Sequence, residues 1–170
     1  MQRIKSNRIF RNIMILSIVI VNIGCDQISK NVVRQRVGFY ETISVIQDFF
    51  TITYVENYGA FLSIGSNLPN YIKVLVLSVI PLIALLFGIA YLLTKKNLTF
   101  LSALALSFAI GGGIGNIYDR LVHGSVTDFM HMNFGIFQTG IFNMADVSIM
   151  TGMFIFLAQS LKRQGGRMLG

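Results

Sequence analysis

Four apolar stretches, each about twenty residues long and separated by polar or charged segments, set the limits on what this chain can fold into. They run approximately over Ile9–Ser29, Tyr71–Thr94, Leu98–Tyr118 and Ile141–Leu161. A helix rising about 1.5 Å per residue crosses the ~30 Å hydrocarbon core of a bilayer in roughly twenty residues. Composition points the same way: 54% of the 170 residues are apolar and 12% are charged. Soluble domains carry about twice that charge, and a water-exposed surface is not covered by so few polar groups. Disorder and coiled coil are excluded with it, and the single cysteine, Cys25, excludes a disulfide-stapled scaffold. The first stretch has the basic start of a signal peptide and ends in Asn22-Ile23-Gly24-Cys25. Three further spans follow it, so it reads as a retained helix.

The net charge of +7 does not point to nucleic acid, because nine of the fourteen cations flank the apolar stretches. Arg3, Lys5, Arg8 and Arg11 precede the first, Lys95 and Lys96 separate the second and third, and Lys162, Arg163 and Arg167 follow the fourth. This is the pattern of cytoplasmic anchoring to anionic lipid. Both termini and the Lys95–Lys96 loop are therefore expected inside, with Val37–Asn70 and Asp119–Gly140 outside. Within the first outer segment, Thr42–Ile46 and Phe49–Val55 are rich in β-branched and aromatic residues and predict a small antiparallel sheet on the membrane face. Asn57–Ile64 reads as a turn leading into a short interfacial helix. Pro81 is a tolerated mid-span kink, and Gly111-xxx-Gly115 is a close-packing motif. The expected fold is all-α and polytopic: four transmembrane helices in one domain, with a small extracytoplasmic sheet.

The acidic residues are placed with equal regularity. Asp26, Asp119, Asp128 and Asp146 fall at or beyond the outer ends of spans, with Asp146 expected one and a half turns inside the fourth helix. Asn116 precedes Arg120 by one turn, and Asn143 and Asp146 are expected on one face of the fourth helix. An ionised group at the centre of a membrane helix costs ~2.5–3.5 kcal/mol on insertion scales, so several at one level predict a polar site. Some have structural readings. Asp26 and Lys30 have the spacing of a helix-surface pair, Asp119 with Arg120 and Asn116 reads as a network joining helices, and Glu41, Asp48 and Glu56 read as solvated. Asp128 and Asp146 have no cation at helical spacing. Two such carboxylates in a low-dielectric site share a proton and form the acid–base pair of an aspartic protease, although transporters also bury aspartates. Other chemistries lack their signatures. His123 and His131 have no zinc-ligand context, no G-x-S-x-G occurs, Ser29 adjoins Lys30 without the separation a nucleophile–base pair needs, and the glycine run lacks a P-loop ending.

Five motifs in chain order carry a family resemblance. Asp26-Gln27-Ile28-Ser29-Lys30 matches D-Q-x-[ST]-K, and Asn57-Tyr58-Gly59-Ala60 matches N-x-G-A. Gly111 to Arg120 matches G-G-x-x-G-N-x-x-D-R, Val126-Thr127-Asp128-Phe129 matches V-x-D-F, and Phe142 to Asp146 matches F-N-x-A-D. Together they resemble the type II (lipoprotein) signal peptidases of bacteria. The departures are Phe61, where a second Ala is common, and the absence of Trp. The resemblance implies Asp128 and Asp146 as the catalytic dyad. It implies Asn57, Gly59, Asn116, Arg120 and Asn143 around the dyad or substrate, and Asp26, Lys30 and Asp119 in support of the fold. It further implies removal of signal peptides from prolipoproteins whose cysteine already carries diacylglycerol, with the cut just before that cysteine. Neither a metal nor an organic cofactor is needed. The partners are then those prolipoproteins and membrane lipid, the protein is a monomer in the inner membrane, and its site lies near the outer leaflet. A small proton-coupled transporter using the same aspartates is the alternative, and a non-enzymatic assembly subunit is a second.

Overall fold

The computed structural model describes residues 8–47, 49–60, 63–95 and 97–168. Arg3, Lys5, Asp48, Phe61 and Lys96 lie outside the described residues, as do the side chains of Arg8, Arg163 and Arg167. Four helices account for the apolar stretches: α1 (Arg8–Arg36), α2 (Asn70–Thr94), α3 (Phe100–His123) and α4 (Met144–Met168). Three strands form one antiparallel sheet in the order β1 (Thr42–Ile46), β2 (Phe50–Asn57), β3 (Val126–Met132).

α3 is the central helix, touching each of the other three. Over half of its apolar window, 56%, is buried inside the protein, against 6% for α2, which leaves α2 facing lipid. Small residues bring this about, since transmembrane helices associate by close van der Waals approach. Gly111 and Gly115, one turn apart, face α1. A Cβ on Gly111 would sit 2.8 Å from that of Asn22, and one on Gly115 would sit 2.5 Å from Asp26 Oδ2. Gly112 faces α4, where a Cβ would overlap the Ala145 carbonyl, while Gly113 faces Leu85 of α2. Thr99 caps the start of α3 by accepting from the Ser102 amide at 3.2 Å. Gly124, with φ of 78°, ends the helix and turns the chain into β3.

Several boundaries differ from those expected. α1 continues to Arg36 rather than ending at Ser29, because its charged outer turns face protein groups that satisfy them. α3 likewise runs from Phe100 to His123. α4 begins at Met144, not Ile141, because Phe142 is extended and exchanges backbone hydrogen bonds with Met130 of β3 at 2.8 and 2.9 Å. Asp146 therefore sits in the first turn of α4, and Asn143 caps the helix instead of sharing its face. The sheet has a third strand, β3, within what was expected to be the second outer loop. Of the short interfacial helix expected here, residues 61–62 lie outside the described residues, Ser63 lies in a 3-10 turn, and residues 64–68 continue as tight turns and a bend. Ser63 (φ 60°) and Gly65 (φ 81°) have positive φ in these turns.

Candidate active site

The strand register explains how the first carboxylate is held. Asn57 of β2 pairs with Val126 of β3, and Asp128 lies two residues further along β3, on the same face and diagonal to Asn57. Asn57 Nδ2 accordingly donates to Asp128 Oδ2 at 2.9 Å. The same amide holds the following turn: its Oδ1 accepts from the Gly59 amide at 3.0 Å, and its Nδ2 donates to the Ala60 carbonyl at 3.0 Å. Position 59 tolerates no side chain, since a Cβ would meet the Ser63 and Ile64 backbone at 2.6 Å.

The second carboxylate is held by a helix start. Asn143 Oδ1 accepts from the Asp146 amide at 2.9 Å while Asp146 Oδ2 accepts from the Asn143 amide at 3.2 Å, a reciprocal capping box. Asn143 Nδ2 then reaches Asp128 Oδ1 at 2.6 Å. One asparagine therefore links both acids, through its side chain to one and its backbone to the other. Asn116 of α3 completes the ring: its Nδ2 donates to Asp146 Oδ1 at 3.0 Å, and its Oδ1 accepts from Asn143 Nδ2 at 3.2 Å and Lys30 Nζ at 3.0 Å. Arg120 donates to the Gly59 carbonyl at 3.1 Å and the Asn116 carbonyl at 3.4 Å. Burial pushes the carboxyl of Asp128 up to about 6 against the opposing hydrogen bond from Asn57, and the charge of Asp146 adds to the rise.

Beneath this ring lies a buried ionic layer. Lys30 Nζ is 2.8 Å from Asp26 Oδ2 and 3.1 Å from Asp119 Oδ2, with all three side chains fully buried, so Asp26 and Lys30 are no helix-surface pair. Each acid of this layer grips the backbone beside one acid of the ring. Asp26 Oδ1 accepts from the Ala145 amide at 2.8 Å, next to Asp146, and Asp119 Oδ2 accepts from the Thr127 amide at 3.2 Å, next to Asp128. Gln27 bridges Asp26 and Asp119 at 3.0 and 3.1 Å.

Arg34 contacts Asp119 at 3.1 Å and donates to Thr127 Oγ1 at 2.8 Å. Neither Gln27 nor Arg34 was among the sequence candidates, although Asp26, Lys30 and Arg34 recur every four residues on one helix face, a signal that was available. Glu56 is not solvated either: it faces Thr127 across the strand register and accepts from the hydroxyls of Ser125 and Thr127 at 2.5 and 2.7 Å. Glu41 is exposed as expected, and accepts from the Gly38 amide at 2.6 Å.

Asp128 and Asp146 line one cavity of about 380 Å³ together with Asn57, Asn116, Asn143 and Arg120. Its other wall is apolar, built by Leu77, Pro81 and Leu85 of α2 and by Ile117, Ile141 and Ile149. Polar groups concentrated at one end of an apolar cleft suit a ligand that is largely hydrocarbon with one reactive polar group. Neither His123 nor His131 lines it, and no trio of metal-ligating side chains occurs among the described residues.

The family model for signal peptidase (SPase) II matches residues 18–162. A lipoprotein signal peptidase of Borrelia duttonii is 37% identical over 164 residues, spanning 93% of this chain and 94% of its own. One from Streptococcus pneumoniae is 35% identical over 147 residues, spanning 86% and 92%. A bacterial membrane enzyme solved by the in meso method at 2.3 Å superposes with a TM-score of 0.80 at 25% identity, over 90% of either chain. With four of the five motifs lining one cleft and the fifth in the ionic layer beneath it, the chain belongs to the signal peptidase II family.

Proposed function

We propose that this protein is an aspartic endopeptidase that removes the signal peptide from diacylglyceryl-modified prolipoproteins, with Asp128 and Asp146 as the catalytic pair. Family membership makes it a peptidase and leaves the proton-coupled transporter without support. The observation that carries the aspartic chemistry is that the two carboxyls line one cavity and share Asn143. With one proton between them, the ionised acid takes a proton from a water molecule as that water attacks the scissile carbonyl. The protonated acid donates to the carbonyl oxygen, and the proton gained from water passes to the leaving amine. Asn57, Asn116 and Asn143 hold the carboxyls in place, and Arg120 brings positive charge to the cavity wall.

The test is incubation of the detergent-purified protein with a diacylglyceryl-modified prolipoprotein. Wild type is expected to release the signal peptide. Asp128→Asn and Asp146→Asn are each expected to abolish release while keeping the wild-type elution profile. Normal cutting by both variants removes the dyad assignment.

A further inference from the structure

A second cavity, also of about 380 Å³, adjoins the first and shares Asn57, Leu77 and Arg120 with it. The acids stay on the first side: among the described residues no carboxylate lines the second cavity, which instead gathers Lys73, Ser78, Asn70 and Tyr58. Ser78 is 4% exposed, and its hydroxyl has no hydrogen-bond partner among the described residues. It lies in a π-helical turn of α2, Leu75–Val79, a local winding that recurs at functional sites. Lys73 Nζ donates to the Ser66 carbonyl at 2.9 Å, leaving two of its three protons uncommitted. Neither Lys73 nor Arg120 forms an ion pair among the described residues. A half-enclosed space that holds the Lys73 ammonium, the Arg120 guanidinium on its shared wall and a hydroxyl without a partner among the described residues suits a ligand rich in oxygen acceptors.

We infer that this cavity, through Lys73 and Ser78, binds the glyceryl ester carbonyls of the substrate's lipid. The assignment rests on the function proposed above, in which the lipid hangs from the sulfur of the residue immediately after the cut. A group attached there has to lie within a few bonds of the dyad, and this cavity shares Asn57, Leu77 and Arg120 with the dyad's. The height also fits. Lys73 and Ser78 occupy the first turns of a membrane-spanning helix, about 7 Å apart along its axis, at the level where hydrocarbon gives way to headgroups. Val74 and Leu77 line the same space and lead from it toward the lipid-facing side of α2, along which acyl chains can leave.

The experiment compares two synthetic prolipopeptides that differ in one respect: the cysteine carries a diacylglyceryl group in one and the ether-linked dialkylglyceryl group, which lacks both carbonyls, in the other. With a hydrogen bond from a charged donor at stake, wild type is expected to show a KM about tenfold lower for the ester. Lys73→Met is expected to raise KM for the ester about tenfold at unchanged kcat, and to leave the ether substrate unaffected. Ser78→Ala, which removes only a hydroxyl, is expected to act in the same direction with a smaller effect. Equal changes for both substrates, or none for either, overturn the assignment, because a purely structural role of Lys73 does not distinguish ester from ether. A third arm adds free phosphatidylglycerol to the micelles. If it alters wild-type KM and Lys73→Met abolishes that response, the occupant is a phospholipid headgroup and the assignment is again overturned. Failure of wild type to cut either peptide refutes the proposed function itself, an outcome distinct from all of these.

Discussion

Asp128 carries a measurable cost of its position. Its carboxyl, lifted by burial from the ordinary 3.8 to about 6, is protonated in the folded protein over a range where the unfolded chain has already ionised. The folded state therefore binds more protons between about pH 4 and pH 6, and stability attributable to this group falls as pH rises through that window. Asparagine at 128 does not titrate. Relative to Asp128→Asn, wild type is expected to lose on the order of 3 kcal/mol of stability between pH 4 and pH 7, read from thermal unfolding at a series of pH values. Parallel curves for the two proteins contradict it. The Asn57 amide opposes the rise, so Asn57→Leu is expected to move the ionisation further alkaline and to carry with it the corresponding limb of the kcat/KM profile. Lys30 has the converse role. Its removal leaves the buried carboxylates of Asp26 and Asp119 without their shared cation, and losses of about 3–5 kcal/mol follow when one partner of a buried pair is deleted. Lys30→Met is expected to lower the unfolding temperature sharply and, through the Ala145 and Thr127 amides, to depress cleavage as well.

Helix packing here depends on backbone contact, which makes neighbouring glycines unequal. A methyl on Gly112 meets the Ala145 carbonyl, which is fixed in the first turn of α4, whereas one on Gly113 meets only the flexible end of Leu85 at 3.0 Å. Gly112→Ala is expected to cost about 1–3 kcal/mol and to reduce activity by shifting Asp146. Gly113→Ala is expected to be close to neutral, with both read in one detergent by thermal unfolding and cleavage. What the sequence disclosed of the elements follows physical lines. The four spans were legible because lipid-facing residues must be apolar whatever they pack against. The end of α1 was not, since Asp26, Lys30 and Arg34 are helical yet turned inward, where hydropathy no longer reports on helix. β3 escaped because Val126, Thr127, Asp128 and Phe129 are all buried, which erases the alternation that identifies a half-exposed strand. With β3 unseen, the partners of Glu56 were unseen too. The start of α4 was hidden by Ile141 and Phe142, apolar residues that extend toward β3, although Asn143 and Asp146 carry the spacing of a capping box. Asp128 and Asp146 stood out for the lack of any nearby cation in sequence, and their linkage through Asn143 depends on a tertiary contact no spacing displays.

At the scale of the whole molecule, charge divides the bundle end from end. Arg11 donates to the Lys95 and Leu93 carbonyls at 2.7 and 3.1 Å, joining the start of α1 to the end of α2 and placing a cation where a helix dipole is negative. The buried acids and the sheet occupy the other end. Since cationic loops stay in the cytoplasm, the sheet and dyad are expected on the outer side, where a lipid-anchored substrate presents its cleavage point. Cysteine labelling decides this. Cys25 is the sole and exposed native thiol, so Cys25→Ala supplies the background. Ser44 on β1 and Asn97 between α2 and α3 are both exposed and sit at opposite ends. In intact spheroplasts a membrane-impermeant maleimide is expected to label Ser44→Cys at once and Asn97→Cys only after permeabilisation. The reverse pattern would place the dyad on the cytoplasmic face, away from translocated prolipoprotein, and would undo the proposed substrate while leaving the peptidase chemistry untouched.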